Sequence, residues 1–319
     1  MTRLLGGVVA AFASVFSIAN AQVYPAKPVR ILTAEAGGGN DFGARLIAQG
    51  LAPAMGQPFV VENRGGGNGI IAAEMVARAA PDGHTLLYYG SNVWLMPFLR
   101  RNVPYDPVKD FAPVTLAVRA PTILLVHPSL PVRTVRDLIT LARAKPGQLN
   151  YGSGATGAAA QMAMELFKSL ANVDITQISY RGNGPAVVAL VAGEVQVAFA
   201  TPASVAPHVK AGKLRPLAVT TSEPSALLPG LPTVAQSGLP GYEMVSVVGM
   251  FAPASTPDAI VRRLNQEIAR VLHTSLVKEK FLNSGVEVVA SSPEEFAAKI
   301  RSEMNRLGPV IRKAGISAD

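Results

Sequence analysis

The chain has no cysteine among its 319 residues. Disulfides and thiol chemistry are therefore excluded, and the packed core must hold the fold unaided. Histidine is also scarce: His84, His127, His208 and His273 lie far apart and match no metal-ligand spacing. No metal is expected. Aromatic residues make up 6%, with a single tryptophan, Trp94. The basic excess, 29 Lys and Arg against 21 Asp and Glu, is scattered, and its longest runs are pairs such as Arg100-Arg101 and Arg262-Arg263. A nucleic-acid binder would cluster its cations with aromatics between them. No nucleic-acid partner is expected, and the charge reads as solubility with a mild pull on anions. Catalytic constellations are thin as well. No G-x-S-x-G elbow occurs, because Tyr151 stands where the first Gly before Ser153 is needed. Asp106 and Asp110 sit in a Pro-rich loop without a companion cluster. The expectation is a protein that is not an enzyme.

Long apolar runs are missing except at the N-terminus. Arg3 supplies a basic start, Leu4 to Ile18 is nearly all apolar and small, and Ala19-Asn20-Ala21 offers the small residues of a cleavage site. This reads as a secretory signal peptide over residues 1–21, cleaved after Ala21, for a periplasmic protein. A run of about 15 residues is shorter than the roughly 20 that a membrane span needs. No Cys follows it to carry a lipid, so release is expected. Later apolar stretches such as Ala186 to Ala192 are short and end in Gly193 and Glu194.

What is present is a repeating alternation. Strand-like Val29 to Thr33 precedes Gly37-Gly38-Gly39 and a helix from about Asp41 to Met55; Phe59 to Val61, Ile70 to Ala80 and Thr85 to Tyr89 continue the pattern. Ile123 to Val126, Thr134 to Ala144, Leu149 to Tyr151 and Ala158 to Leu170 repeat it, followed by Ile175 to Ser179, Pro185 to Val191, Val195 to Ala200 and Leu217 to Val219. Strands alternating with helices of this length imply parallel βαβ units. Pro224 to Gly241 reads as a crossing or hinge segment. Beyond it, strand-like Val245 to Phe251 leads to helices starting near Pro257 and Pro293. Thr256 precedes the first proline. Ser292 precedes the second with Glu295 three residues on, a capping box with Pro at the first helical position.

Gly152-Ser153-Gly154-Ala155-Thr156-Gly157 matches the G-x-G-x-x-G pattern after a strand. A dinucleotide site needs an acid at the end of the next strand. Asp174 precedes that strand, and the looser Gly67-Asn68-Gly69 loop has no such acid, so no cofactor is expected. A Gly-rich turn feeding a helix start is nonetheless a ready anion site, through its backbone N–H groups and the positive helix end. Gly37 to Asp41 and Ser153 to Gly157 are two such loops, one per putative domain, and ligands of open α/β sheets bind beyond the carboxyl ends of the strands. For Asp41 the alternative of a simple helix-start role stands beside the ligand role.

Several ordered segments carry a family resemblance. They include Tyr24-Pro25 with Lys27-Pro28-Val29-Arg30, the Gly37-Gly38-Gly39 loop with Asp41, Gly56-Gln57-Pro58 with Val60-Val61-Glu62-Asn63-Arg64, and Pro81-Asp82-Gly83. Further on stand Pro104-Tyr105-Asp106-Pro107, Pro128-Ser129-Leu130-Pro131, Gly212-Lys213-Leu214-Arg215 and Gly238-Leu239-Pro240-Gly241. From Tyr24 to its C-terminus the chain resembles the Bug-type substrate-binding proteins of tripartite tricarboxylate transporters. The resemblance implies an α/β, two-lobed periplasmic-binding-protein fold (type II), each lobe a mostly parallel sheet flanked by helices. Lobe 1 would combine residues 22–122 with 246–319, and lobe 2 would be residues 123–245. It further implies a monomer that closes on a small organic carboxylate and hands it to membrane permease subunits. A ligand-sensing module for a membrane signalling partner, or an exported hydrolase, are the competing readings.

The first-lobe candidates for ligand contact are Glu35, Gly38, Gly39, Asn40, Asp41, Ser91 and Trp94. On the second lobe they are Ser153, Thr156, Gly157, Tyr180, Arg181 and Thr201, with Gly182 beside Tyr180. The chain departs from the family where Ala34 and Glu35 replace a common Phe and Pro, and where Ala158, Gln161, Arg181 and Val247 stand, which implies a reshaped pocket. Glu35 is the sharpest departure, because a carboxylate beside an anion-binding loop needs an offset. It could turn to solvent, pair with Arg181 across a closed cleft, or meet a cationic or amide donor on the ligand. Trp94, just past the third strand, is expected to line the pocket or to pack in the core.

Overall fold

The computed structural model describes residues 24–154, 159–180 and 182–318. The expected signal peptide lies outside the described residues. The first part of the chain forms β1 (Val29–Thr33), α1 (Gly39–Met55), β2 (Phe59–Asn63), α2 (Ile70–Ala77), β3 (Thr85–Gly90), α3 (Asn92–Leu99) and β4 (Phe111–Ala120). The middle forms β5 (Ile123–Val126), α4 (Val135–Ala144), β6 (Asn150–Ser153), α5 (Ala159–Ala171), β7 (Thr176–Ser179), α6 (Asn183–Ala192), β8 (Val197–Ala200), α7 (Pro202–Lys210) and β9 (Arg215–Val219). The last part is β10 (Ser246–Pro253), α8 (Asp258–Leu272), α9 (Ser275–Asn283), β11 (Glu287–Val288) and α10 (Pro293–Lys313).

These strands make two sheets, in the order β11-β4-β10-β3-β1-β2 and β7-β6-β8-β5-β9. The expectation of mostly parallel sheets is corrected: both are mixed. β1 pairs in parallel with β2 and β3, but β10 runs antiparallel to β3 and β4. In the second sheet β6 is parallel to β7 and β8, while β5 is antiparallel to β8 and β9. The cause is the way the chain crosses. It leaves the first sheet at the end of β4 and returns at the start of β10, both on the edge where β1 and β3 end, as the pairing of Ser246 with Ala120 shows. A returning strand at that edge must point against its neighbours. β5 does the same in the second sheet, where Ile123 at its start faces Ala200 at the end of β8. Both crossings therefore join the edges that hold the carboxyl ends of the helix-connected strands.

The helices form where apolar residues recur every three or four positions. In α8, Val261, Leu264, Ile268, Val271 and Leu272 are buried in one core cluster with Ile47 and Leu51 of α1 and Met250 of β10. Each such side chain contributes about 1.5–3 kcal/mol on burial. The capping box at Ser292 and Glu295 is present at the start of α10. At α8 the start differs from the expectation: Pro257 is the cap residue, and the Thr256 hydroxyl donates to Pro253 O instead. α10 packs on α3 and β4 and also touches α5 of the second lobe. Beside it, the Tyr242 hydroxyl donates to Ala163 O, and Lys299 and Arg306 hold the Glu243 carboxylate of the second crossing. Among the described residues no helix is long and apolar enough to cross a membrane.

Candidate ligand-binding cleft

The first wall of the site is the turn from β1 into α1. Thr33 closes β1, its hydroxyl donating to Tyr88 O of β3 at 2.8 Å. The chain then turns at Gly37, whose φ of 81° lies in the region that glycine adopts without steric cost. Gly38 caps α1 without a side chain, and at Gly39, the first helical residue, nothing lies within 4 Å of where a Cβ would sit. The first-turn N–H groups, Gly39 and Asn40 among them, have no intrahelical partner and stand at the positive end of the helix dipole. Gly38 and Gly39 are exposed, and Asn40 is half-buried.

Asp41 is buried in that first turn and its carboxylate is engaged inward. It accepts from Gly37 N at 3.0 Å, from Arg45 Nε at 2.9 Å and from Asn63 Nδ2 at 2.8 Å. Asn63 also donates to Ala34 O at 2.7 Å, so it ties the end of β2 to the same loop. The bond from Arg45, followed by those from Gly37 and Asn63, holds the Asp41 pKa down at about 2. The geometry puts Asp41 in the role of fixing the loop. Because Arg45 neutralises it, the helix end keeps its attraction for an anion.

Glu35 is exposed on the same loop, and its Oε1 accepts from Gly66 N at 2.9 Å. Its exposure agrees with the turn toward solvent, and a backbone donor of the adjacent β2–α2 connection adds a further offset. Its own N–H and that of Gly66 hold its carboxylate below the usual range. A Cβ at Gly65 would come within 2.5 Å of Glu35 Oε1, so a side chain there would displace the Glu35 carboxylate from this position. Burial, then Glu35, push Tyr89 up to about 12. Ser91 lies at the end of β3 on this edge, half-buried, heading α3 without a side-chain cap bond.

On the second lobe, Ser153, Tyr180 and Thr201 stand at or just past the carboxyl ends of β6, β7 and β8. Ser153 is fully buried and its hydroxyl accepts from Gln177 Nε2 at 2.8 Å. Gln177 in turn accepts from Gln161 Nε2 at 3.1 Å and reaches Ser179 Oγ at 3.3 Å. Gln161 is among the departures legible in the sequence, but its partner Gln177 is not; the alternation of β7, which puts Gln177 and Ser179 on one face, is the available signal. Thr201 is exposed before α7, its hydroxyl bonded to Ser204 Oγ. Tyr180 N donates to Ser153 O, which holds the two loop starts together. Thr156, Gly157 and Arg181 lie outside the described residues.

Trp94 does not line the cleft. Its ring is fully buried, 6.0 Å from Phe251 and 5.9 Å from Phe296 between centroids, and its Nε1 donates to Glu303 Oε2 at 2.9 Å. The reason is that α3 turns this side chain back under the sheet toward α10. A cavity of about 440 Å³ does open beside the glycine turn, bordered by Gly37 to Asn40 and by Ala120 and Ser246 at the two crossings.

Residues 43–316 match the family described as Tripartite tricarboxylate transporter family receptor. Protein BugT of Bordetella pertussis is 33% identical over 320 residues, covering 99% of this chain and 98% of that one. Among solved structures, R. palustris Rpa4515 with adipate is 38% identical with a TM-score of 0.71, over 92% of this chain and 99% of that one. MatC (Rpa3494) from Rhodopseudomonas palustris with bound malate is 32% identical with a TM-score of 0.66, over 90% of this chain and 100% of that one.

Proposed function

The chain belongs to the tripartite tricarboxylate transporter family of receptors, and from that premise we propose that it captures a small organic carboxylate between its lobes. It is a periplasmic solute-binding receptor of the Bug type. The observation that carries the ligand class is the uncapped glycine turn at the head of α1, with Asp41 engaged inward and paired to Arg45. A carboxylate in front of Gly38, Gly39 and Asn40 would take the free N–H groups of the first turn, as charge-assisted hydrogen bonds. Ser91 extends the first wall, and on the facing edge Ser153, Thr156, Gly157, Tyr180, Arg181 and Thr201 supply the second. The adipate and malate bound by the two solved relatives support a carboxylate here too.

The lobes in this reading are residues 22–122 with 246–319, and residues 123–245, with the crossings as hinge. The mature protein begins at Gln22, after cleavage of residues 1–21. The closed form then presents both lobes to membrane permease subunits, and the receptor acts as a monomer. Closure is measurable. Small-angle scattering with and without a bound carboxylate is expected to give a smaller radius of gyration when bound. An unchanged radius at saturation would contradict the hinge.

Glu35 adds a further expectation. Because Gly66 N already offsets its charge, Glu35→Gln is expected to change affinity by less than about threefold for carboxylates without a cationic or amide group, since a neutral acceptor still takes the backbone bond. Isothermal titration of such acids checks this; a loss of tenfold or more would mean that Glu35 bridges to the other lobe.

A further inference from the structure

The cavity beside the glycine turn has a wall chemistry of its own. Phe42, Tyr88, Val118, Val248, Phe281 and Val286 make most of it, with Ser246 and Ser284 at its edges and no lysine or arginine. The Ser284 hydroxyl is taken, donating to Phe281 O. Phe42 and Phe281 meet edge to face at 5.8 Å, yet Phe42 stays 40% exposed. A volume of about 440 Å³ lies in the range of small-molecule sites. The cavity begins at Gly38, Gly39 and Asn40, so a molecule whose carboxylate sits on the head of α1 has this space directly beside it.

Tyr88 supplies an independent sign. It is 1% exposed, and its hydroxyl rests against Gly43 in the first turn of α1, where a Cβ would approach to 2.6 Å. Among the described residues no protein group bonds that hydroxyl, and it is not one of the water-excluded polar atoms, so it opens onto the cavity. A nearly buried, unpaired hydroxyl in a cavity wall marks a place where a ligand's polar atom belongs.

We propose that the ligand is an organic acid whose body is apolar and enters this cavity, with one oxygen placed to meet Tyr88. The proposal rests on the carboxylate reading above and narrows it. A second carboxylate carried into the cavity would leave water with no cation to meet it, which compact di- and tricarboxylates cannot tolerate. An aryl or medium-chain alkyl acid covers the Phe42–Phe281 pair and leaves only its carboxylate at the helix head. A hydroxyl, ether or keto oxygen on that body gives Tyr88 its partner.

Isothermal titration of the purified receptor with benzoate, 4-hydroxybenzoate, 3-phenylpropanoate, octanoate, succinate, malate and citrate tests this. The expected result is at least tenfold tighter binding of the best aryl or alkyl acid than of any compact polycarboxylate. Ser246→Phe, a change at an exposed position at the mouth, is expected to weaken that best acid at least tenfold while keeping the wild-type melting temperature. If Ser246→Phe fails to fold, Val286→Phe on the opposite wall fills the same space and carries the same expectation. Tyr88→Phe is expected to weaken only acids with the added oxygen, by three- to tenfold. A compact polycarboxylate that binds tightest and is indifferent to Ser246→Phe overturns this proposal and leaves the carboxylate receptor standing. If no carboxylate binds while neutral solutes do, both fall.

Discussion

Trp94→Ala is expected to lower the unfolding free energy by about 3–5 kcal/mol, the cost of truncating a large buried aromatic. The ring is fully enclosed between Phe251 of β10 and Phe296 of α10. Its removal leaves a cavity where α3, β10 and α10 meet. The loss also takes away the N–H that serves Glu303, a side chain only 2% exposed. Burial already raises the Glu303 pKa, and Lys299 at 3.6 Å only partly offsets this. Urea unfolding checks the number. Trp94→Phe, which keeps most of the volume, is expected to lose less. Under conditions where the variant stays folded, its ligand affinity is expected to match the wild type. A stable variant with abolished binding would return Trp94 to the cleft.

Asp41→Ala is expected to weaken ligand binding by about 30- to 100-fold, which is about 2–3 kcal/mol, in the range of a hydrogen-bonded charge. The effect is indirect. Without the carboxylate, Gly37 N and Asn63 Nδ2 lose their acceptor, and the turn that presents Gly38 and Gly39 is no longer fixed. Arg45 loses its ion pair but keeps Asn63 Oδ1, and its positive charge offsets only part of this loss for an anion. The pH dependence gives a second check. The Asp41 pKa is held at about 2 in the folded chain against an ordinary aspartate value of about 4. Its contribution to stability is therefore complete above pH 4 or so and is lost as pH falls from there through about 2. Asp41→Asn is expected to remove that part of the acid sensitivity, read from melting temperatures between pH 5 and pH 2.

Much of this architecture is legible in residue order. The alternation from Val29 to Val219 marks the βα units, and the glycine turn at residues 37–39 marks the head of α1, where Gly37 takes a positive φ that glycine adopts freely. β4 was not legible. Phe111 to Ala120 contains Pro113, and its periodicity is blurred because it is paired on both sides, with β10 and β11. α7 was hidden by two prolines, Pro202 at its start and Pro207 within it. The mixed sheets also escaped, since strand direction is set by where the chain crosses between lobes. In the site, Asp41 and Glu35 stand where the sequence places them, but their partners Asn63 and Gly66 come from a different loop. For Trp94 the sequence leaves pocket and core open, because position after a strand says nothing about which way a helical side chain turns; the structure has it in the core. Tyr88 and Gln177 were invisible as functional groups, since only packing leaves one hydroxyl unpaired and sets the other side chain beside Ser153.

The account rests on an anion held at the head of α1, and the most direct measurement compares the best-binding carboxylate with its primary amide by isothermal titration. The amide keeps the shape but lacks the charge and replaces one accepting oxygen with an NH2 donor, and the free N–H groups of Gly39 and Asn40 and the dipole of α1 disfavour both changes. The expected result is at least a 100-fold loss for the amide, about 2.7 kcal/mol. Equal affinities for acid and amide would contradict it.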